Sequence, residues 1–154
     1  MDIKRLSKFL ARAKINTYAS IGEGGEKILP DGSKELEFKE EEFKYRDRYF
    51  GFNPFIGEEI VFHNKKFVWG MNYCGKAISQ IVSPKKIYQF FREALKNITE
   101  DKPFRGPDRF EKGNFKYFNK TRGTIENFDG EEKVFYKRKI VYKLVYHGGL
   151  IMKK

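Results

Sequence analysis

Two stretches of this chain are near copies of one another. Residues 55–78, FIGEEIVFHNKKFVWGMNYCGKAI, align without gaps on residues 128–151, FDGEEKVFYKRKIVYKLVYHGGLI, with 11 of 24 positions identical at an offset of 73. Upstream, Phe43-Lys44-Tyr45 matches Phe115-Lys116-Tyr117 at an offset of 72. An ungapped match keeps strand phase and loop length together, because a one-residue slip would turn every side chain to the opposite face. Each copy follows an amphipathic helical pattern. The first is Ile3, Leu6, Phe9, Leu10 and Ala13 behind Asp2 as N-cap. The second is Ile87, Phe90, Phe91, Ala94, Leu95 and Ile98, capped by Ser83 with Pro84 in the first turn. The remainder reads as strands rich in Phe, Tyr, Val and Ile, near 34–39, 43–50, 56–63, 66–74, 113–118, 122–128, 131–137 and 139–147. The expected fold class is therefore α+β: a tandem helix-plus-antiparallel-strands repeat, two layers deep, with a pseudo-twofold axis. One domain would span 1–154, built of repeats at about 1–80 and 83–154. A longer connection over 18–33 follows the first helix, and its Ile21-Gly22-Glu23-Gly24-Gly25-Glu26 stretch reads as a flexible loop without the spacing or Lys of a P-loop.

Strand alternation assigns faces. Phe67, Trp69, Met71 and Tyr73 correspond to Ile140, Tyr142, Leu144 and Tyr146, and this large, apolar set is expected to point inward. Gly70, Asn72 and Cys74, with Lys143, Val145 and His147, are left on the other face.

Charge narrows the function classes. Lys plus Arg number 32 against 21 Asp plus Glu, a net charge of +11. Residues 1–77 carry 14 basic and 12 acidic side chains, whereas residues 78–154 carry 18 and 9, so the second half is the electropositive one. Such a field attracts nucleic acid and other polyanions. Lys dominates with 23 residues against 9 Arg, however, and bidentate phosphate or guanine recognition favours Arg. No apolar run is long enough to span a bilayer, and Met1-Asp2-Ile3-Lys4-Arg5 is not a secretory leader, so a cytoplasmic address and no membrane partner are expected. Cys74 is the single cysteine, which excludes an internal disulfide and a Cys-rich zinc site. With only His63 and His147, no His-based metal centre and no cofactor are expected.

Three constellations could carry chemistry. Cys74 matches His147 at the 73-residue offset, but a Cys–His nucleophile also needs an orienting third group and an oxyanion site. The duplicated Gly-Glu-Glu places Glu58 and Glu59, and Glu131 and Glu132, at strand starts, where alternation sends one of each pair to either face. One from each pair would converge beside Trp69, Tyr73, Tyr142 and Tyr146 to hold a cationic or amine-bearing ligand, or else pair with nearby Lys and Arg. Finally, Arg46 and Arg48 share a strand face, and Arg105 sits in a Pro-bracketed turn; these three form a candidate anion site.

Several strings are familiar. Phe9-Leu10, Ala13-Lys14, Thr17-Tyr18-Ala19, Phe43-Lys44-Tyr45-Arg46-Asp47-Arg48-Tyr49-Phe50-Gly51, Phe55-Ile56-Gly57-Glu58-Glu59, Trp69-Gly70-Met71-Asn72-Tyr73, Pro103-Phe104-Arg105-Gly106-Pro107 and Tyr146-His147-Gly148-Gly149 resemble an uncharacterised prokaryotic family, domain of unknown function 5680. Its members occur alone or behind Cro/C1-type helix-turn-helix domains in transcriptional regulators. This chain resembles the stand-alone form, and the resemblance implies a sensory or effector-binding module. The expectation is a non-enzymatic module that binds or senses a planar or cationic small molecule. The alternative is a nucleic-acid-associated protein that binds weakly and nonspecifically through its basic C-terminal half. The sequence leaves the oligomeric state open.

Overall fold

The computed structural model describes residues 2–21 and 25–152; of the glycine-rich loop, Gly22, Glu23 and Gly24 lie outside the described residues. Helix α1 spans Ile3–Asn16, its N-terminus closed by the Asp2 carboxylate, which accepts the Lys4 N–H at 2.9 Å. A single turn, α2 (Tyr18–Ile21), follows. Strands β1 (Lys27–Ile28), β2 (Lys34–Glu40), β3 (Phe43–Gly51), β4 (Phe55–His63) and β5 (Lys66–Ala77) come next. Helix α3 (Pro84–Leu95) is capped by Ser83 and precedes β6 (Arg109–Lys112), β7 (Phe115–Thr124), β8 (Asn127–Tyr136) and β9 (Lys139–Leu150).

The tandem two-unit architecture is not what forms. All nine strands join one antiparallel sheet in the order β1-β2-β3-β4-β5-β9-β8-β7-β6, and the helices are short beside it. The reason lies at the centre. β5 and β9 are each 12 residues long and pair from Trp69↔Leu150 to Ala77↔Tyr142, so the edges that separate units would expose are satisfied by one another. Two meanders, β1–β5 and β6–β9, are joined edge to edge by this pair into one sheet rather than standing as two helix-plus-strand modules.

The matched segments nevertheless form hairpins of the same register. β4 pairs β5 from Phe55↔Gly75, and β8 pairs β9 through Phe128↔Gly148, the same positions 73 residues on. Both turn through two residues with positive φ, Asn64 and Lys65 in one and Lys137 and Arg138 in the other, the conformation whose twist matches that of paired strands. Both also carry an irregularity at the same place, between Val61 and Phe62 and between Val134 and Phe135. This bulge corrects the inward face. Val61 faces Trp69 but Phe62 faces Phe67, so phase changes across Val68, and Phe67 lies 43% exposed while Trp69, Met71 and Tyr73 are buried. Farther along, the anticipated break between 118 and 122 is absent. β7 runs unbroken because Asn119, which looks like a turn residue, is a buried strand residue whose amide is fully engaged.

Helices α1 and α3 lie against the same sheet face. Phe9 of α1 stacks on Phe43 of β3 at 4.9 Å, and Phe91 of α3 meets Tyr142 of β9 at 4.7 Å. Among the described residues, the opposite sheet face carries no helix. Among the described residues, no helix is long and apolar enough to cross a membrane.

Candidate functional site

Between helices and sheet the core contains five charged side chains. Glu59 on β4 and Glu132 on β8 project inward, and Arg105, from the turn after α3, lies between them with Nη1 3.5 Å from Glu59 and Nε 3.3 Å from Glu132. Lys14 of α1 reaches Glu59 Oε2 at 2.6 Å and donates to the Phe104 carbonyl. Asp47 of β3 stands directly opposite Glu59 in the ladder and accepts the Tyr73 hydroxyl proton at 2.5 Å. All five side chains are almost wholly buried. Counted at full ionisation, three carboxylates face two cations, so the cluster holds one negative charge too many. Burial of unbalanced charge is costly. The surplus settles on Asp47, whose pKa is pushed up to about 7 by its burial and by the charge of Glu59, against the Tyr73 hydrogen bond and Arg105. Burial also lowers the pKa of Lys14, with Glu59 opposing, whereas Glu132 and Glu59 overcome the burial of Arg105 and hold it charged.

The β7–β8 side supplies an internal comparison. Asn119 stands opposite Glu132 as Asp47 stands opposite Glu59, and Tyr146 donates to Asn119 Oδ1 at 2.8 Å as Tyr73 donates to Asp47. The same geometry is thus made once with an amide and once with an acid. What covers the two positions differs as well. Over Asn119 lies the chain's own 103–107 turn: the Asn119 amide donates to the Gly106 carbonyl at 3.0 Å, and the Gly106 N–H donates to the Tyr117 hydroxyl at 3.1 Å. Over Asp47 there is a narrow cleft of about 50 Å³.

The cleft is walled by the rings of Tyr18, Tyr49, Phe52, Phe55, Tyr73 and Tyr88, with Leu36 beside them. Asp47 and Arg105 form its charged floor, and Glu26, Lys34 and Arg92 complete the lining. The rings are held by their neighbours. Phe55 packs edge-on to Tyr73 and Tyr88, the Tyr88 hydroxyl donates to the Phe52 carbonyl at 3.0 Å, and the Tyr49 hydroxyl donates to Glu26 at 2.6 Å. The Arg105 guanidinium lies 5.3 Å from the Tyr73 ring centroid and 5.9 Å from that of Tyr18, so its face is covered by π surface. Such a site can place a flat group against rings and meet a hydrogen-bond donor at the Asp47 carboxylate, with Lys34, Arg92 and Arg105 as the cations of the same lining.

Placed in this frame, the sequence-derived residues separate. Tyr73 lines the cleft, and Glu59 lies one layer beneath it. Glu59 and Glu132 do converge, but on Arg105 rather than on an open site. Glu58 and Glu131 turn to the other sheet face, where Arg46 and Lys133 pair with them at 2.9 and 3.1 Å. Trp69 is fully buried, stacked on Phe128, with its indole N–H donated to the Ile125 carbonyl at 3.0 Å. Tyr142 is likewise at 0% exposure, and Tyr146 is spent on Asn119 and Thr121. These three belong to the core, not to the cleft. The three arginines do not gather into an anion site: Arg46 is held by Glu58, Arg48 by Asp31 and Ser33, and Arg105 lies in the core between two carboxylates. Cys74 and His147 are exposed diagonal neighbours on the helix-free face, Cys74 facing Val145 and His147 facing Asn72.

Asp47 is the residue that sequence reading passed over. Its signal was present, since the matched Phe-Lys-Tyr segments continue to Asp47 in one copy and Asn119 in the other. The glycines of Gly-Glu-Glu make room for a side chain: a Cβ on Gly57 would sit 2.4 Å from the Tyr73 hydroxyl and one on Gly130 2.3 Å from that of Tyr146, so each glycine clears the path of the tyrosine to its partner.

No curated protein and no solved structure matches the chain. A family model described as Domain of unknown function (DUF5680) matches residues 47–151, a span that opens on Asp47 and carries the Gly-Glu-Glu strands, Arg105 and the central β5–β9 pair. The chain therefore belongs to the family of the domain of unknown function DUF5680.

Proposed function

We propose that the cleft over Asp47 is a binding site for a small planar cation, and that the chain is a non-enzymatic binding or sensing module acting in the cytoplasm. The observation that carries this reading is the acid-for-amide difference at otherwise matching positions. Asn119 offers a donor to the Gly106 carbonyl that covers it. Asp47, with Tyr73 in the place of Tyr146, offers an acceptor and a negative charge to a ring-walled cleft. A flat ligand bearing an amidinium or aromatic ammonium group would neutralise the cluster and stack on the walls. In family members that accompany Cro/C1-type helix-turn-helix domains, such a module would be the effector-sensing part.

Isothermal titration with benzamidine and its neutral isostere benzamide tests the reading. Benzamidine is expected to bind more tightly than benzamide, and its affinity is expected to rise about tenfold from pH 6 to pH 8 as Asp47 ionises. Asp47→Asn should remove both the preference and the pH dependence. Equal binding of the two probes, or an affinity indifferent to Asp47→Asn, would refute it.

A further inference from the structure

The helix-free sheet face is laced with opposite charges placed directly across from one another. Glu35↔Arg48, Glu37↔Arg46, Arg48↔Glu58, Lys120↔Glu131, Arg122↔Asp129 and Glu111↔Lys116 are all ladder partners. Opposed like charges destabilise a sheet, and complementary ones support it. One row breaks the pattern. Lys143 on β9 has Lys76 across from it on β5 and Lys133 on β8, so a lysine stands on both sides of a lysine. The row continues to Phe118 on β7, opposite Lys133, and to Arg109 on β6, opposite Phe118. Lys39 and Lys44 also oppose each other, but Glu37 neutralises Lys44. Within the row Lys133 is paired with Glu131 and Arg109 with Glu111, whereas among the described residues Lys76 and Lys143 have no ion-pair partner, so the uncompensated repulsion lies between these two. The row crosses five adjacent strands, about 19 Å at roughly 4.8 Å per strand. Phe118 is 37% exposed and meets Phe135 edge-on at 5.6 Å, with the Arg109 guanidinium 5.6 Å from its ring.

We propose that this face binds single-stranded nucleic acid without sequence preference, the phosphates held at Lys76 and Lys143 and bases stacking at Phe118. A repulsive row is retained at a cost to the free protein that a polyanion relieves. The exposed ring and the stacked guanidinium favour unpaired bases over a duplex or a lipid surface, since unpaired bases present π faces. The surface lies on the opposite side of the sheet from the cleft and stands independently of it.

Fluorescence anisotropy with labelled dT20 tests the proposal. Lys76→Gln/Lys143→Gln should weaken binding and make the log–log salt slope shallower by about 1.4, at about 0.7 for each phosphate that a lysine no longer neutralises. Phe118→Ala should weaken binding roughly tenfold. The control Lys85→Gln/Lys86→Gln, with the same change in net charge on α3, should leave the affinity nearly unchanged. Urea unfolding should show the row variant at least as stable as wild type, because a repulsion has been removed. Equal weakening by the control, equal affinity for heparin or anionic vesicles with no effect of Phe118→Ala, or no binding of dT20 at low salt would each overturn the proposal.

Discussion

Asp47→Asn is expected to make this protein less sensitive to pH by a calculable amount. The carboxyl titrates near 3.8 in an open chain and near 7 in the fold. A group whose pKa is raised on folding contributes stability that is complete below its unfolded pKa and is lost as pH rises through the folded one. At about 1.4 kcal/mol per pH unit, the gap is worth about 4 kcal/mol, of which about 3 kcal/mol falls between pH 5 and pH 8. Asparagine does not titrate, and Asn119 already accepts a tyrosine hydroxyl in the matching geometry. The variant should therefore gain on wild type by about 3 kcal/mol between pH 5 and pH 8, with the titrating groups outside the buried cluster cancelling in the difference. Trp69 is the single tryptophan and is buried, so its emission reports urea unfolding at each pH. A stability difference between the two proteins that stays constant within about 1 kcal/mol over this range, or that moves against the variant, would refute the assignment of the surplus charge to Asp47.

The reciprocal change, Asn119→Asp, places a carboxylate opposite Glu132 where the Gly106 carbonyl leaves no room for compensation, and should destabilise by about 1–3 kcal/mol, increasingly with pH, in the same unfolding series. Gly57→Ala sets a methyl group where the Tyr73 hydroxyl lies and should cost about 1–3 kcal/mol. Because the displaced tyrosine releases Asp47, its loss should grow above neutral pH, a dependence that a simple packing defect would not show.

The parts legible in the sequence were those fixed by short-range rules. Ser83 with Pro84 marked the start of α3, and ungapped identity fixed the register and turns of the β4–β5 and β8–β9 hairpins. What escaped depended on partners distant in the chain. The pairing of β5 with β9 decides between two units and one sheet, yet either arrangement satisfies the same alternation of residues. The phase change at Val68 arises from one extra residue in a strand, which leaves composition unaltered. For the site, Glu59 and Glu132 were visible as a pair, but their target was not, because Arg105 enters from a turn whose path no local pattern dictates. Asp47 was hidden by its neighbours. Flanked by Arg46 and Arg48, it looks like one charge in a solvated run, although alternation turns it to the opposite face from both.

The central β5–β9 pair also sets a timetable. β5 is complete at Ala77, while its partner ends at Leu150, so 73 residues separate the two edges in order of synthesis. At about 5–20 residues per second a ribosome needs roughly 4–15 s to cover that distance. For this interval the nascent β2–β5 meander presents a twelve-residue strand with an unsatisfied backbone edge, long compared with the microseconds in which a hairpin closes. Two nascent chains on neighbouring ribosomes would offer each other the same edge, and pairing β5 to β5 between them competes with waiting for β9. Slow translation through the α3 region would thus favour pairing between chains, and fast completion of the last hairpin the pairing of β5 with β9 within one chain.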